Sequence, residues 1–587
     1  MQHIVNDVSW KIGGEAGFGI MATGAAFAKA CVRAGLFAVD YSEYPSLIRG
    51  GHNTYQVAIS SRPLHAHRTE VNMLVALNRE TIDRHLDELT PGAVVIFDSS
   101  DPTLKSFAPE TMTRRDVRWH GLAFEDIARA AGGQKLMRNT VALGASFALL
   151  SVDATVPSAV IAESFTAKGP DVVAMNLRLL QAGYDAIPVV QRETFPWSIE
   201  PISAAPQRFL MTGNEALALG AIQARCLFYA AYPMTPASSV LSYLAAHGPA
   251  YGMVVRHAED EIGVINETIG AAWAGVRAMC GTAGGGFALM TEAIGLAGMA
   301  EVGIVVIEAQ RGGPSTGLPT WTEQGDLRQV LHASQGDFLK IVLAPGNPTE
   351  CFTMIQQAFN LAERYQTPVI VMTDKYLAEG HWTISALPAA LPLDRGKIVH
   401  PTDVPGEQRF LRYRTDVDDG ISPRTLPGMP DGMFLANSDE HEPTGFTTEE
   451  REERLAQMNK RARKERTLQR ELPEPKLVGP AKADITIVSW GSSIGPALAA
   501  AERLTNYFHR STNVLPLTWI HPFPVASVQR LLQSAPMTVM LEANQSGQMS
   551  GLIKQHTGLS CTHDLRRYDG RPFDAHEVAE QIHHLST

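Results

Sequence analysis

The sequence predicts an α/β protein of several domains built on doubly wound parallel sheets. Apolar runs of strand length, such as Val369-Ile370-Val371-Met372, alternate with helical stretches such as residues 359–365. Several runs empty into glycine and proline turns, as at Gln310-Arg311-Gly312-Gly313-Pro314. The alternation fails from about residue 390 to 480 and restarts at Ile485-Thr486-Ile487-Val488, so one sheet does not account for the chain. At 587 residues there is room for about four domains, and 45% hydrophobic with 19% charged residues is an ordinary globular composition.

Charge and composition exclude some functions. A formal net charge of -11 argues against general nucleic-acid binding, which depends on Lys and Arg against phosphate. No uncharged apolar run reaches about 18 residues, and Met1-Gln2-His3-Ile4 has no basic-apolar leader pattern. A cytoplasmic protein with no membrane partner is expected. The five cysteines Cys31, Cys226, Cys280, Cys351 and Cys561 are scattered, with no Cys-x-x-Cys. They read as buried or surface thiols in a reducing compartment, and the chain is not expected to hold an iron-sulfur cluster alone.

In chain order, Trp10-Lys11-Ile12 leads through Gly13, Gly14, Gly17 and Gly19 into an Ala-rich helical stretch, 20–34. Such a loop either offers backbone N–H groups to a phosphate or simply makes a tight turn. Tyr44-Pro45-Ser46-Leu47-Ile48-Arg49-Gly50-Gly51-His52 supplies a second glycine turn with a cation. Buried strands are expected at 71–77 and 94–97, and a helix at 139–148. Pro196, Pro201 and Pro206 mark a linker, so the first domain is placed at 1–193 and the linker at 194–210.

The second domain, 211–390, holds the most informative residues. A helix from Gly213 and a strand over 227–231 lead to Tyr232-Pro233-Met234-Thr235-Pro236, where two prolines restrict the backbone around one hydroxyl. Glu259-Asp260-Glu261 starts a helix, and residues 261–278 are rich in Gly and Ala, so the helix can lie close to another backbone or a flat ligand. An acid there either serves chemistry or complements the helix dipole. The apolar run 302–308 reads as a buried strand that empties into Ala309-Gln310-Arg311. In a parallel sheet, ligands sit at the carboxyl ends of strands. Arg311 either grips a carboxylate with two parallel bonds or pairs with Glu308 or Glu323.

Residues 391–480 form a connector. Its charged run, 447–472, reads as a helix with a solvated face rather than a docking site. The last domain, 481–587, repeats strand-turn-helix at 485–495, 514–524 and 538–548. Glu542 either binds a ligand or caps the sheet. His52, His257 and His521 lack metal-ligand spacing and read as ordinary hydrogen-bonded histidines; no metal site is expected in this chain.

Four segments together resemble the alpha subunit of the 2-oxoacid:ferredoxin oxidoreductases. They are the Tyr232 turn, the Glu259 helix start, Thr282-Ala283-Gly284-Gly285-Gly286-Phe287 through Glu292, and Gln310 through Thr320. The resemblance covers nearly the whole chain in family order, with one departure. Members often carry Thr-Ser-Gly-Pro-Gly where this chain has Thr282-Ala283-Gly284-Gly285-Gly286, which implies a more flexible loop here.

The resemblance implies a gamma-type domain at the N-terminus, a pyrimidine-binding domain at 211–390 and a transketolase C-terminal-like domain at 481–587. Gly14, Gly17, Gly19 and Arg49 would lie in a structural or coenzyme A region. Glu261 would share a proton with the aminopyrimidine ring of thiamine diphosphate, with Tyr232 and Pro233 beside the cofactor. Thr235 and Arg311 would hold the substrate carboxylate, and Thr320 would support either substrate or loop. No Gly-Asp-Gly with a suitably spaced Asn is present, so the diphosphate, Mg2+ and a 4Fe–4S cluster are expected on a separate beta subunit, in a dimer of heterodimers. The implied reaction converts 2-oxoglutarate, coenzyme A and oxidised ferredoxin into succinyl-coenzyme A, carbon dioxide and reduced ferredoxin. The alternatives are pyruvate or broad 2-oxoacid specificity, a non-redox transketolase-type thiamine enzyme, and a non-catalytic scaffold for the beta chain.

Overall fold

Strand-forming runs of Val, Ile and Ala assemble into three large sheets in the computed structural model, which describes residues 3–47, 50–105, 107, 114, 116–203, 205–400, 403 and 409–586. The chain divides into two compact units, one of 1–211 with 380–386 and one of 212–379 with 387–587.

The first unit is built on an eight-stranded sheet. Strands Asp7–Glu15, Val71–Ala76, Leu89–Asp98 and Arg118–Leu122 run parallel, while His52–Ser60 and Phe37–Glu43 continue the sheet antiparallel. The sheet is therefore mixed, because the short connection after Phe37–Glu43 turns the chain straight back where a parallel crossover needs a helix. Trp10 anchors the core by stacking on Phe27 at 4.4 Å, and Phe27 stacks on Phe147 at 5.0 Å. The buried Trp10 indole finds a partner in Ser146 Oγ at 3.0 Å.

The second unit carries a seven-stranded sheet in the order Val254–His257, Cys226–Ala231, Arg277–Thr282, Val305–Gln310, Val369–Asp374, Ile341–Leu343 and Trp519–His521. All but the last strand are parallel. A four-stranded parallel sheet of Thr512–Leu517, Ile485–Trp490, Met537–Glu542 and His563–Arg566 shares its apolar core. The apolar run expected as a strand from Val302 pairs only from Val305, with Val302 and Ile304 buried in the approach. Among the described residues no helix is long and apolar enough to cross a membrane.

One expectation is corrected. The charged helix Arg451–Gln469 does not keep all its charges in water: Gln457, Lys460, Arg461, Lys464 and Leu468 are buried. Spacing of four puts Lys460 and Lys464 on one face, where both ammonium groups pair with the fully buried Glu301. Burial alone would raise the Glu301 carboxyl, but Lys460, Lys464 and Arg412 outweigh it and hold the group below its usual range. Glu301→Gln would leave two ammonium groups buried without a counter-charge. It is expected to destabilise this unit by about 3–5 kcal/mol. Because the Glu301 pKa is depressed on folding, its stabilisation is present above about pH 4 and lost as pH falls. The difference between wild type and variant in thermal unfolding should therefore shrink in acid.

Candidate functional site

The large sheet of the second unit changes direction beside Cys226–Ala231. From this strand the chain first adds Val254–His257 on one side and then crosses to Arg277–Thr282 on the other. The carboxyl ends of a parallel sheet at such a switch point form a crevice suited to ligands. Ala231 delivers the Tyr232 turn there, and Thr282 delivers the glycine-led helix Gly284–Met299. The neighbouring strand Val305–Gln310 delivers Arg311.

Glu261 begins the helix Glu261–Trp273, which Asp260 caps by accepting from Gly263 N at 2.8 Å. Asp260 thus has the capping role, and Glu261 is left over as a buried acid, only 3% exposed. Its Oε1 is buried with no hydrogen-bond partner among the described residues. That atom packs against Gly286, where a side-chain carbon would collide with Glu261 Oε1 and with Thr282 Oγ1. Gly284-Gly285-Gly286, expected as a loose loop, is the first turn of a helix. A buried carboxyl oxygen with no partner, held over a turn without side chains, fits a flat polar ring that brings its own nitrogen.

Arg311 is half-buried. Its Nη1 donates to the carbonyl of Thr235 at 2.8 Å. Neither Glu308 nor Glu323 pairs with it, and among the described residues no carboxylate lies within ion-pair distance of its guanidinium. The structure thus closes off the purely structural pairing that the sequence left open. Burial pulls the Arg311 pKa down, and the charge of Asp326 opposes this. The Thr235 hydroxyl makes no hydrogen bond among the described residues, so the Thr235 turn and the guanidinium leave polar groups free at one place. Thr320 is buried at the close of the arginine loop, which Leu318 N ties to Gly312 O at 2.8 Å. Tyr232 and Pro233 are exposed, and the Tyr232 ring meets His257 edge-on at 6.2 Å.

The loop after Thr320 is locked by Gln324. Its side chain donates to Trp490 O at 2.8 Å and accepts from Ser493 Oγ and Ala543 N, both at 2.9 Å. Glu542 has a structural role: fully buried, it accepts from Asn544 Nδ2 at 2.7 Å, Met549 N at 2.9 Å and Ser550 N at 3.1 Å. It thereby satisfies the start of helix Gln548–Thr557. Sequence reasoning missed Gln324 and Asp326, both inside a polar stretch without periodicity. The one signal was a cluster of polar residues following directly on the arginine motif.

In the first unit, Gly14 lies one residue before the end of strand Asp7–Glu15, against Phe18 and Leu77, Gly17 faces open space, and Gly19 takes φ 74° before helix Ile20–Arg33. The positive φ at 19 favours glycine, and a side chain there would also press on the amide end of Asn139. Arg49 lies outside the described residues. His52 Nε2 lies 2.8 Å from His85 Nε2, and burial pushes His521 down to about 4. Burial also pushes the Cys226 and Cys280 thiols up to about 12, which disfavours thiolate chemistry.

Comparison with known proteins converges on one family. Residues 219–460 match the family described as pyruvate flavodoxin/ferredoxin oxidoreductase, thiamine diphosphate-binding, and residues 9–186 match pyruvate ferredoxin/flavodoxin oxidoreductase. A 2-oxoacid:ferredoxin oxidoreductase subunit alpha from Sulfolobus is 32% identical over 98% of this chain and 96% of its own length. A 2-oxoglutarate oxidoreductase subunit KorA from Mycobacterium tuberculosis is 30% identical over 94% of this chain and 87% of its own length. Among solved structures, a 2-oxoglutarate:ferredoxin oxidoreductase from Magnetococcus marinus, with 2-oxoglutarate, coenzyme A and succinyl-CoA bound, is 31% identical. It superposes with a TM-score of 0.90 over 98% of this chain and 99% of that chain.

Proposed function

The chain belongs to the 2-oxoacid:ferredoxin oxidoreductase alpha-subunit family, and from that premise we propose that it oxidatively decarboxylates 2-oxoglutarate. The acyl group passes to coenzyme A, giving succinyl-coenzyme A and carbon dioxide, and the electrons pass singly to ferredoxin. Thiamine diphosphate, when bound, supplies the nucleophilic carbon and the electron sink for decarboxylation. The residues of this chain orient and tune that chemistry. Glu261 would share a proton with a ring nitrogen of the bound aminopyrimidine, and the missing side chain at Gly286 leaves room for its carboxyl group. Arg311 and the Thr235 hydroxyl hold the substrate carboxylate so that the keto carbon faces the cofactor, and Thr320 buttresses the loop that carries Arg311.

The observation that carries this reading is the half-buried Arg311 guanidinium, fixed to the Thr235 carbonyl and without an ion-pair partner among the described residues. A cation so placed recruits an anion from outside the protein, and a carboxylate matches its fork. Relatives named for 2-oxoglutarate support the substrate choice, and pyruvate is the competing one.

A beta subunit is proposed to complete each site with the diphosphate, Mg2+ and a 4Fe–4S cluster, in a dimer of heterodimers. Support comes from the missing diphosphate motif and from exposed Val254 on an edge strand and exposed Ile262 and Trp273 on the Glu261 helix. Gly14, Gly17, Gly19 and Arg49 are proposed to lie in the coenzyme A region. The substrate choice is tested by comparing kcat/KM for 2-oxoglutarate and pyruvate on the purified alpha-beta complex; a preference for pyruvate would overturn it. Gly286→Ala places a methyl group where Glu261 Oε1 lies. It is expected to lower kcat on the order of 100-fold with the circular dichroism spectrum preserved.

A further inference from the structure

Glu308 stands three residues before Arg311, on the strand Val305–Gln310 that leads to it, 0% exposed, and neither carboxyl oxygen receives a hydrogen bond from any donor among the described residues. The groups that face it are acids. Asp326, just before helix Leu327–His332, lies near enough for its carboxylate to act on Glu308, and Asp374, at the end of strand Val369–Asp374, adds a second negative charge. Its register partners, Thr282 and Met372, carry no charge. Asp374 is already committed as an acceptor from Thr322 Oγ1 at 3.0 Å and Leu377 N at 3.3 Å.

Asp326 is held firmly. Its backbone N–H donates to Gln310 Oε1 at 3.1 Å, and its carboxylate packs against Gly284, where a side-chain carbon would collide with it. The same carboxylate acts electrostatically on Arg311 and on Glu323. Two carboxyl groups in contact inside a protein do not both ionise.

We propose that Glu308 carries a proton which it donates to Asp326, and that this one-proton pair is a positioning device that keeps Arg311 available to the substrate carboxylate. The proposal rests on the assignment of Arg311 to that carboxylate. With the proton in place, a single negative charge is shared over the pair. Once the proton leaves, the pair that acts on Arg311 through Asp326 carries two negative charges, and the incoming carboxylate must compete with them. Burial, then the charge of Asp326, lifts the Glu308 carboxyl well above the ordinary range. Burial also raises Asp326, while the Glu308 hydrogen bond and Arg311 pull the other way. Affinity for the 2-oxoacid is therefore present at neutral pH and lost as pH rises through the titration of the pair, with kcat for bound substrate little changed.

Glu308→Gln in the alpha-beta complex tests this, because the amide donates to Asp326 as the protonated acid does. The expected result is a KM near that of wild type at neutral pH and flat in alkali, where the wild-type KM climbs by up to ~10-fold per pH unit. Infrared difference spectroscopy at neutral pH supplies a second readout, independent of substrate: a protonated-carboxyl band present in wild type and missing in Glu308→Gln. An unchanged alkaline rise in the variant, or no such band in wild type, overturns the proposal. If the variant does not assemble, the wild-type band and the KM profile of Asp326→Asn, expected to be flat, decide. An Arg311→Lys enzyme with unchanged KM would instead remove the substrate assignment, and the infrared band would still report on the proton.

Discussion

Glu261→Gln is expected to leave the fold and beta-subunit assembly intact and to lower kcat by roughly 100- to 10,000-fold, the range typical of a lost proton-transfer group. The carboxyl is buried at the start of a helix that Asp260 already caps, so its removal takes nothing from the helix end. Its Oε1 has no partner among the described residues, so stability gains little from it. An amide of the same shape fills the space against Gly286 but cannot exchange a proton with a ring nitrogen. Single-turnover measurements should place the defect before carbon dioxide release, with thiamine diphosphate still bound. A variant of near wild-type kcat would remove Glu261 from the mechanism.

Arg311→Lys is expected to act mainly on KM. A lysine keeps the charge but offers no planar fork, and it gives up the bond from Nη1 to the Thr235 carbonyl that fixes the turn. Loss of a charge-assisted hydrogen bond is worth about 1.5–3 kcal/mol. That corresponds to roughly 10- to 100-fold in KM for the 2-oxoacid. Coenzyme A KM should stay unchanged, which separates a carboxylate contact from a general disturbance of the complex. An unchanged 2-oxoacid KM would place the carboxylate contact elsewhere.

Much of this was legible in the sequence because it is local. The prolines around Thr235, the acidic helix start at Glu261 and the apolar strand ending at Arg311 all announce themselves within a few residues, and the sheet places them at one crevice. What the sequence did not disclose is pairing over long separations. Lys460 and Lys464 look like solvated charges until Glu301, far away in the chain, is seen between them. Glu308 is one of two ion-pair partners that the sequence leaves open for Arg311, beside the favoured ligand role, yet the charged groups that act on it are Asp326 and Asp374. Glu542 was undecided between ligand and cap because its three donors come from a turn whose geometry no periodicity encodes. Gly286 was read as loop flexibility, whereas its missing side chain makes room for Glu261.

The most direct test is ferredoxin reduction by the purified alpha-beta complex with 2-oxoglutarate, with thiamine diphosphate, coenzyme A and the beta subunit omitted in turn. Reduction that requires all three, and that Glu261→Gln slows by roughly 100-fold or more, is the predicted result. A thiamine-loaded complex that carries its iron-sulfur cluster yet transfers no electrons from any 2-oxoacid would contradict the account.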